Sequence, residues 1–108
     1  MAEEVSPQQA AELLRGGDAQ LVDVREPYEH EAGRIAGSLH IELQRLPAEA
    51  AALDRERPLL FYCRTGSRSA LAADAFAASG YDARNLDGGL EAWVSAGLPI
   101  EPSGGRVA

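Results

Sequence analysis

The stretch Leu59-Leu60-Phe61-Tyr62-Cys63-Arg64-Thr65-Gly66-Ser67-Arg68-Ser69 constrains the fold more than any other part of the chain. Four consecutive large apolar residues, entered through Pro58, suit a strand buried on both faces. Such strands belong to parallel sheets covered by helices. This strand delivers a cysteine to its carboxyl end, where open α/β sheets place their ligand sites. Small and polar residues follow, and a helical pattern begins at once.

Helix and strand signals alternate along the remainder, which predicts an α/β fold with a mainly parallel sheet. Ser6 can cap a helix, Pro7 suits its first position, and Gln9 sits where a capping box needs it. That helix runs through Leu13 and Leu14 and stops at Gly16-Gly17. Residues 21–24 form a short apolar run suited to a buried strand. Residues 27–31 allow one or two helical turns ending near Gly33. Residues 38–41 make a weaker strand, and residues 47–53 read as helix. After the loop, residues 69–79 are helical, with Leu71, Ala75 and Phe76 on one face and Gly80 at the end. Residues 81–86 give a fourth strand, Asp87-Gly88-Gly89 a turn, and residues 90–96 a last helix before Gly97. With no repeat and no linker, residues 1–108 are expected to be a single domain. Its ordered core spans about residues 4–101, and residues 102–108 form a flexible tail.

A formal net charge of −7 argues against nucleic acid or an anionic membrane as the main partner. All ten cationic residues are arginine, and two of them, Arg64 and Arg68, flank the loop that begins at the only cysteine. No stretch long enough to span a bilayer is free of charges. The acidic start, Met1-Ala2-Glu3-Glu4, lacks the basic and then apolar regions of a secretory signal, so a cytoplasmic location is expected. A single cysteine allows no internal disulfide and no cysteine-based zinc site. The two histidines, His30 and His40, do not suggest a metal site. No metal or cofactor is expected, and the chain is expected to be a monomer. Any transfer chemistry at Cys63 must be resolved by a thiol from another molecule.

Between strand and helix the chain must curl tightly. Gly66 permits a backbone conformation closed to bulkier residues, so the loop amides can converge on one spot. The first amides of the helix add partial positive charge there. A free cysteine titrates near pH ~8.5, and helix N-termini with cationic neighbours lower that to roughly 3.5–7.5. Cys63 is therefore expected to be mostly thiolate at neutral pH. Loop length separates two thiolate chemistries. Cysteine phosphatases place five residues between Cys and Arg, whereas four separate Cys63 from Arg68. Phosphate-ester hydrolysis also calls for an acid to protonate the leaving group, and none adjoins this loop. Transfer of the outer sulfur of thiosulfate releases sulfite, a stable anion that needs no proton.

Taken together, the residues resemble the rhodanese homology domain over nearly the whole chain. Residues 63–69 resemble that family's active-site loop, with a six-residue span. Leu21-Val22-Asp23-Val24-Arg25-Glu26 resembles its first signature, and the segment from Tyr28 through Gly33, Ile35 and Gly37 to His40-Ile41 resembles the motif that follows. Gly88-Gly89, Ala92-Trp93 and Gly97-Leu98-Pro99-Ile100 resemble its ending. Arg34 stands where the family often has His, and Glu42 where it often has Pro. The resemblance implies a three-layer rhodanese-like fold with helices on both sheet faces. It also implies a persulfide on Cys63, with Arg64, Thr65, Gly66, Ser67, Arg68 and Ser69 holding a small anionic donor such as thiosulfate. A small or protein thiol, or cyanide, would be the acceptor. The alternatives are a sulfur carrier or regulatory module without turnover and, further off, a phosphatase or arsenate reductase.

Other polar residues read as structural. Asp23, inside an apolar strand, is expected to accept backbone amides, and Arg25 to pair with Glu29. His30, between Glu29 and Glu31, is expected to be solvated, His40 to be structural, and Trp93 to lie in the core.

Overall fold

All four residues of strand β4 (Leu59–Tyr62) are fully buried, which requires strands on both sides and helices above and below. A computed structural model describes residues 1–108 and supplies both. Strands β1 (Glu3–Val5), β2 (Gln20–Asp23), β3 (Leu39–His40), β4 and β5 (Ala83–Leu86) form one sheet in the order β1-β5-β4-β2-β3. Every pairing is parallel. Asp23 lies opposite Tyr62, so the two central strands end at one level, beside Cys63.

The helices are α1 (Pro7–Arg15), α2 (Pro27–Ala32), α3 (Leu46–Glu49), α4 (Ser67–Ala78) and α5 (Gly89–Ser95). Side chains alternate across β4 and divide the core in two. Leu59 and Phe61 pack with Leu46, Ala72, Ala73 and Phe76 on the α3–α4 side. Leu60 and Tyr62 pack with Ala10, Leu90 and Trp93 on the α1–α5 side. Helices therefore cover both faces, as the motifs imply. The capping box of α1 forms as its sequence predicts, Ser6 and Gln9 each bonding the other's backbone N–H.

Four differences in the helices and strands have physical causes. Strand β1 was not predicted, because Glu3-Glu4-Val5 is short and polar. It forms because the edge of β5 offers unpaired backbone groups, and Val5 reaches the core opposite Leu86. Residues 47–53, expected as one helix, break into α3 and a following 3-10 turn, Ala50–Ala52, as the chain bends to bury both Leu46 and Leu53. Helix α4 starts at Ser67, two residues earlier than expected, because Gly66 supplies the turn at its N-cap. Tyr81 lies outside β5 because its ring packs edge-on against Phe76, with centroids 4.9 Å apart. Residues 102–108, expected as a flexible tail, have partners on the body of the protein. The Arg106 amide donates to the Ala32 carbonyl at 2.8 Å, and Val107 packs against the α1–α5 side of the core.

Candidate functional site

Cys63 follows the last residue of β4, and its sulfur receives three hydrogen-bond donors from the loop and the start of α4. The Gly66 amide lies 3.1 Å from Sγ, the Ser69 amide 3.4 Å and the Ser69 hydroxyl 3.3 Å. Gly66 makes this possible with a left-handed φ of 100°, a conformation costly for any residue with a Cβ. Burial by itself would raise the thiol's pKa. The Ser69 hydroxyl and the amides of Ser69, Gly66 and Thr65 outweigh it, so the pKa falls below the ordinary value. The direction matches the expectation of a thiolate.

A nucleophilic Cys63 needs a sulfur both ringed by donors and reachable from solvent. The first condition is met and the second is not, because Cys63 is 0% exposed. Arg64, Thr65 and Ser67 are the exposed residues of the loop, while Gly66 and Ser69 are buried with the sulfur. The larger surface groove, about 560 Å³ and lined by Leu43, Leu71, Phe76 and Tyr81 among others, contains none of residues 63–69.

The two loop arginines differ. Arg64 points outward and donates to Glu91 at 2.9 Å, both side chains being about half exposed. Arg68 gives both arms of its guanidinium to Glu29, at 2.8 and 2.9 Å. Glu29 is buried, its Oε1 also accepts the Glu26 amide, and Arg68 holds its carboxyl below the usual range. Neither arginine is free in this geometry to grip a donor with its whole fork. The charge of Arg68 is nevertheless close enough to couple with the Cys63 sulfur.

This pairing corrects the expectation that Arg25 binds Glu29. Arg25, fully buried, forks onto Asp23 instead, with Nε to Oδ1 at 2.9 Å and Nη2 to Oδ2 at 2.7 Å. Nη2 also donates to the Gly33 carbonyl at 2.7 Å, and the guanidinium lies 5.5 Å from the Tyr62 ring centroid, leaving Nη1 without a polar partner. Asp23 does accept a backbone amide, that of Arg25 itself, at 3.0 Å. Burial raises the Asp23 pKa, but the bonds from Arg25 and His30 prevail and hold it low. His30 is only partly exposed and has a buried partner. Its Nδ1 lies 2.8 Å from Asp23 Oδ2, and its ring stacks on His40 at 4.5 Å. His40 donates through Nε2 to the Arg25 carbonyl at 2.7 Å. Trp93 is in the core, as expected, with Nε1 donating to the Pro99 carbonyl at 2.8 Å.

Two contributors were not singled out from sequence. The Gly88-Gly89 turn, read from sequence as a turn and as part of the family's ending motif but not as a support of the cysteine loop, docks under that loop. The Leu90 and Glu91 amides of α5 donate to the carbonyls of Cys63 and Arg64 at 2.8 and 3.1 Å. A Cβ on Gly89 would meet the Arg64 carbonyl oxygen at 2.5 Å, so the glycine doublet is a requirement of close approach. Asn85, on β5, donates to the Gly66 carbonyl at 3.0 Å. It has no sequence signal of its own, because β5 reads Ala83-Arg84-Asn85-Leu86 and a polar residue beside Arg84 does not stand out.

A five-stranded parallel sheet with helices on both faces, ending its central strand in a cysteine ringed by main-chain donors, defines an α/β protein of the thiol-loop class. The chain belongs to the rhodanese-like domain family, whose profile matches residues 6–96. It is 38% identical over 104 residues to the thiosulfate sulfurtransferase GlpE of Pseudomonas aeruginosa strain LESB58, covering 95% of this chain and 93% of that one. It is 37% identical over 84 residues to a sulfurtransferase of Allochromatium vinosum, covering 77% of this chain and 78% of that one. Among solved structures, a rhodanese-related protein from Thermoplasma volcanium superposes with a TM-score of 0.85 at 27% identity, covering 92% and 97% of the two chains.

Proposed function

We propose that this protein is a sulfurtransferase that carries a sulfane sulfur on Cys63. The convergence of the Gly66 amide, the Ser69 amide and the Ser69 hydroxyl on one sulfur carries the reading. Donors fixed in place for a negative charge need no reorganisation when the charge develops. The names of the relatives add the reaction class.

In the first step the Cys63 thiolate attacks the outer sulfur of thiosulfate. The Sγ–S bond forms, the bond to the sulfonate sulfur breaks, and its electron pair leaves with sulfite. The enzyme keeps a persulfide anion, whose charge falls to the same amides. In the second step an acceptor thiolate attacks the outer sulfur, a new persulfide leaves on the acceptor, and Cys63 returns to thiolate. No proton is needed by either leaving group, which suits a loop without a general acid. Because the resting sulfur is covered, donor entry requires the exposed residues of the loop, Arg64, Thr65 and Ser67, to move aside.

Intact-mass analysis after incubation with thiosulfate tests the reading. One added sulfur on Cys63, removed by cyanide or dithiothreitol and absent in Cys63→Ser, is the expected result. No added mass overturns it. Turnover of an aryl phosphate dependent on Cys63 would favour a phosphatase instead, which the spacing of Cys63 and Arg68 opposes.

A further inference from the structure

We propose that Asn85 is a positioning residue for the sulfur cradle, acting through Gly66. The Gly66 amide is the nearest donor to Cys63 Sγ, at 3.1 Å. Its aim depends on the left-handed conformation of Gly66, whose N-terminal neighbours Arg64 and Thr65 are exposed. On that side the Leu90 and Glu91 amides hold the carbonyls of Cys63 and Arg64 but neither reaches Gly66, so what fixes Gly66 itself acts on its other side. There the Gly66 carbonyl accepts two hydrogen bonds, one from the Ala70 amide at 3.1 Å within α4 and one from Asn85 Nδ2 at 3.0 Å. The first ties Gly66 only to its own helix. The second ties it to β5, a strand of the sheet that also carries Cys63.

The Asn85 amide is itself oriented. Nδ2 also donates to both oxygens of the Glu4 carboxylate on β1, at 3.0 and 3.2 Å. A flipped amide would set Oδ1 against the Gly66 carbonyl and the Glu4 carboxylate, three acceptors together. Edge strand β1 thus fixes which way Asn85 faces, and Asn85 fixes Gly66. A purely structural role fits poorly, because Asn85 is 2% exposed and its Oδ1 has no hydrogen-bond partner. Burying an unsatisfied oxygen costs stability that an apolar strand residue would avoid. The position keeps a donor where packing favours none.

The role concerns ionisation of Cys63 and does not depend on sulfur transfer. The test replaces Asn85 by Ala, which leaves space, and by Leu, which fills it. Thiolate absorbance is titrated against a Cys63→Ser blank, and thermal unfolding is followed in parallel. In each folded variant the midpoint should rise by about one pH unit. An unchanged midpoint overturns the proposal even if the melting temperature falls, since a structural residue would do only that. In the unsubstituted protein, hydrogen exchange gives a second reading: the Gly66 amide should exchange more slowly than the Thr65 amide, and equally fast exchange also overturns the proposal. A midpoint that moves in a protein unable to take sulfur from thiosulfate would reject the sulfurtransferase reading and keep this one.

Discussion

Arg68 turns both arms of its guanidinium onto the Glu29 carboxylate, at 2.8 and 2.9 Å, across 39 residues of sequence. The cation at the end of the cysteine loop is thus mounted from a different element, the short helix α2. Its partner is buried, held a second time by the Glu26 amide, and offsets positive charge at the loop.

Arg64→Ala and Arg68→Ala should therefore part company in stability. The Arg64–Glu91 pair is exposed on both sides, and pairs of that kind contribute at most about 1 kcal/mol. Removing Arg68 strands a buried carboxylate, at a cost of about 1–3 kcal/mol. Urea unfolding of the two variants checks this, and equal losses would contradict it. Both should raise KM for thiosulfate.

Glu29→Gln acts in the opposite sense on binding. It breaks the fork but leaves Arg68 with its full charge for the donor. Against the two negative charges of thiosulfate, one uncompensated charge at ~10 Å in water is worth about fourfold in affinity before salt screening, so KM should fall by roughly two- to fourfold. A rise in KM would show that orientation of Arg68 matters more than its charge.

Acid should unfold the protein through Asp23 and Glu29, whose folded pKa values are both depressed. Groups of this kind stabilise fully above their unfolded values, near pH ~3.9 and ~4.3, and lose that contribution as pH falls through the folded ones. Stability measured by urea unfolding should be flat near neutrality and drop below about pH 4. Glu29→Gln should be less stable at neutral pH and fall less steeply in acid.

Ser69→Ala removes the hydroxyl that points at Cys63 Sγ while keeping the amide. The midpoint of the alkylation-rate profile should rise by about half to one pH unit, yet stay below that of a free thiol. Because the sulfur is covered, its limiting rate with a small neutral alkylating agent should be below that of a free cysteine thiolate. Complete inertness in the folded state would remove Cys63 as a nucleophile.

Gly89→Ala should be among the most damaging single substitutions outside the core. It combines a φ of 63° with contacts at 2.5 and 2.6 Å to the carbonyl oxygens of Arg64 and Cys63. A loss above about 2 kcal/mol is expected, with sulfur uptake falling in the fraction that still folds. A stable, fully active variant would show that the loop does not depend on the turn beneath it.

Much of the architecture is legible in the chain because it rests on local signals. The apolar run at residues 59–62, the Ser6/Gln9 cap and the glycine at position 66 each act over a few neighbours. Strand β1 is different: Glu3-Glu4-Val5 has no strand signal of its own and pairs only because β5 has a free edge. The expected Arg25–Glu29 pair differs from the observed ones in part for the same reason. Only the second half of that exchange is long-range: Arg25 forks onto Asp23 two residues back, while Glu29 is taken by Arg68, 39 residues away.

By itself, the order of residues determined the parallel α/β plan, the place of Cys63 at a strand end and the inward aim of the amides that follow, because hydrophobic period and backbone freedom are short-range properties. Only the tertiary structure decided which charges neutralise one another, that the two histidines stack, that the sulfur lies covered, and that Asn85 and the Gly88-Gly89 turn brace the loop. Those depend on which distant segments the sheet order brings within about 3 Å, the range of a hydrogen bond.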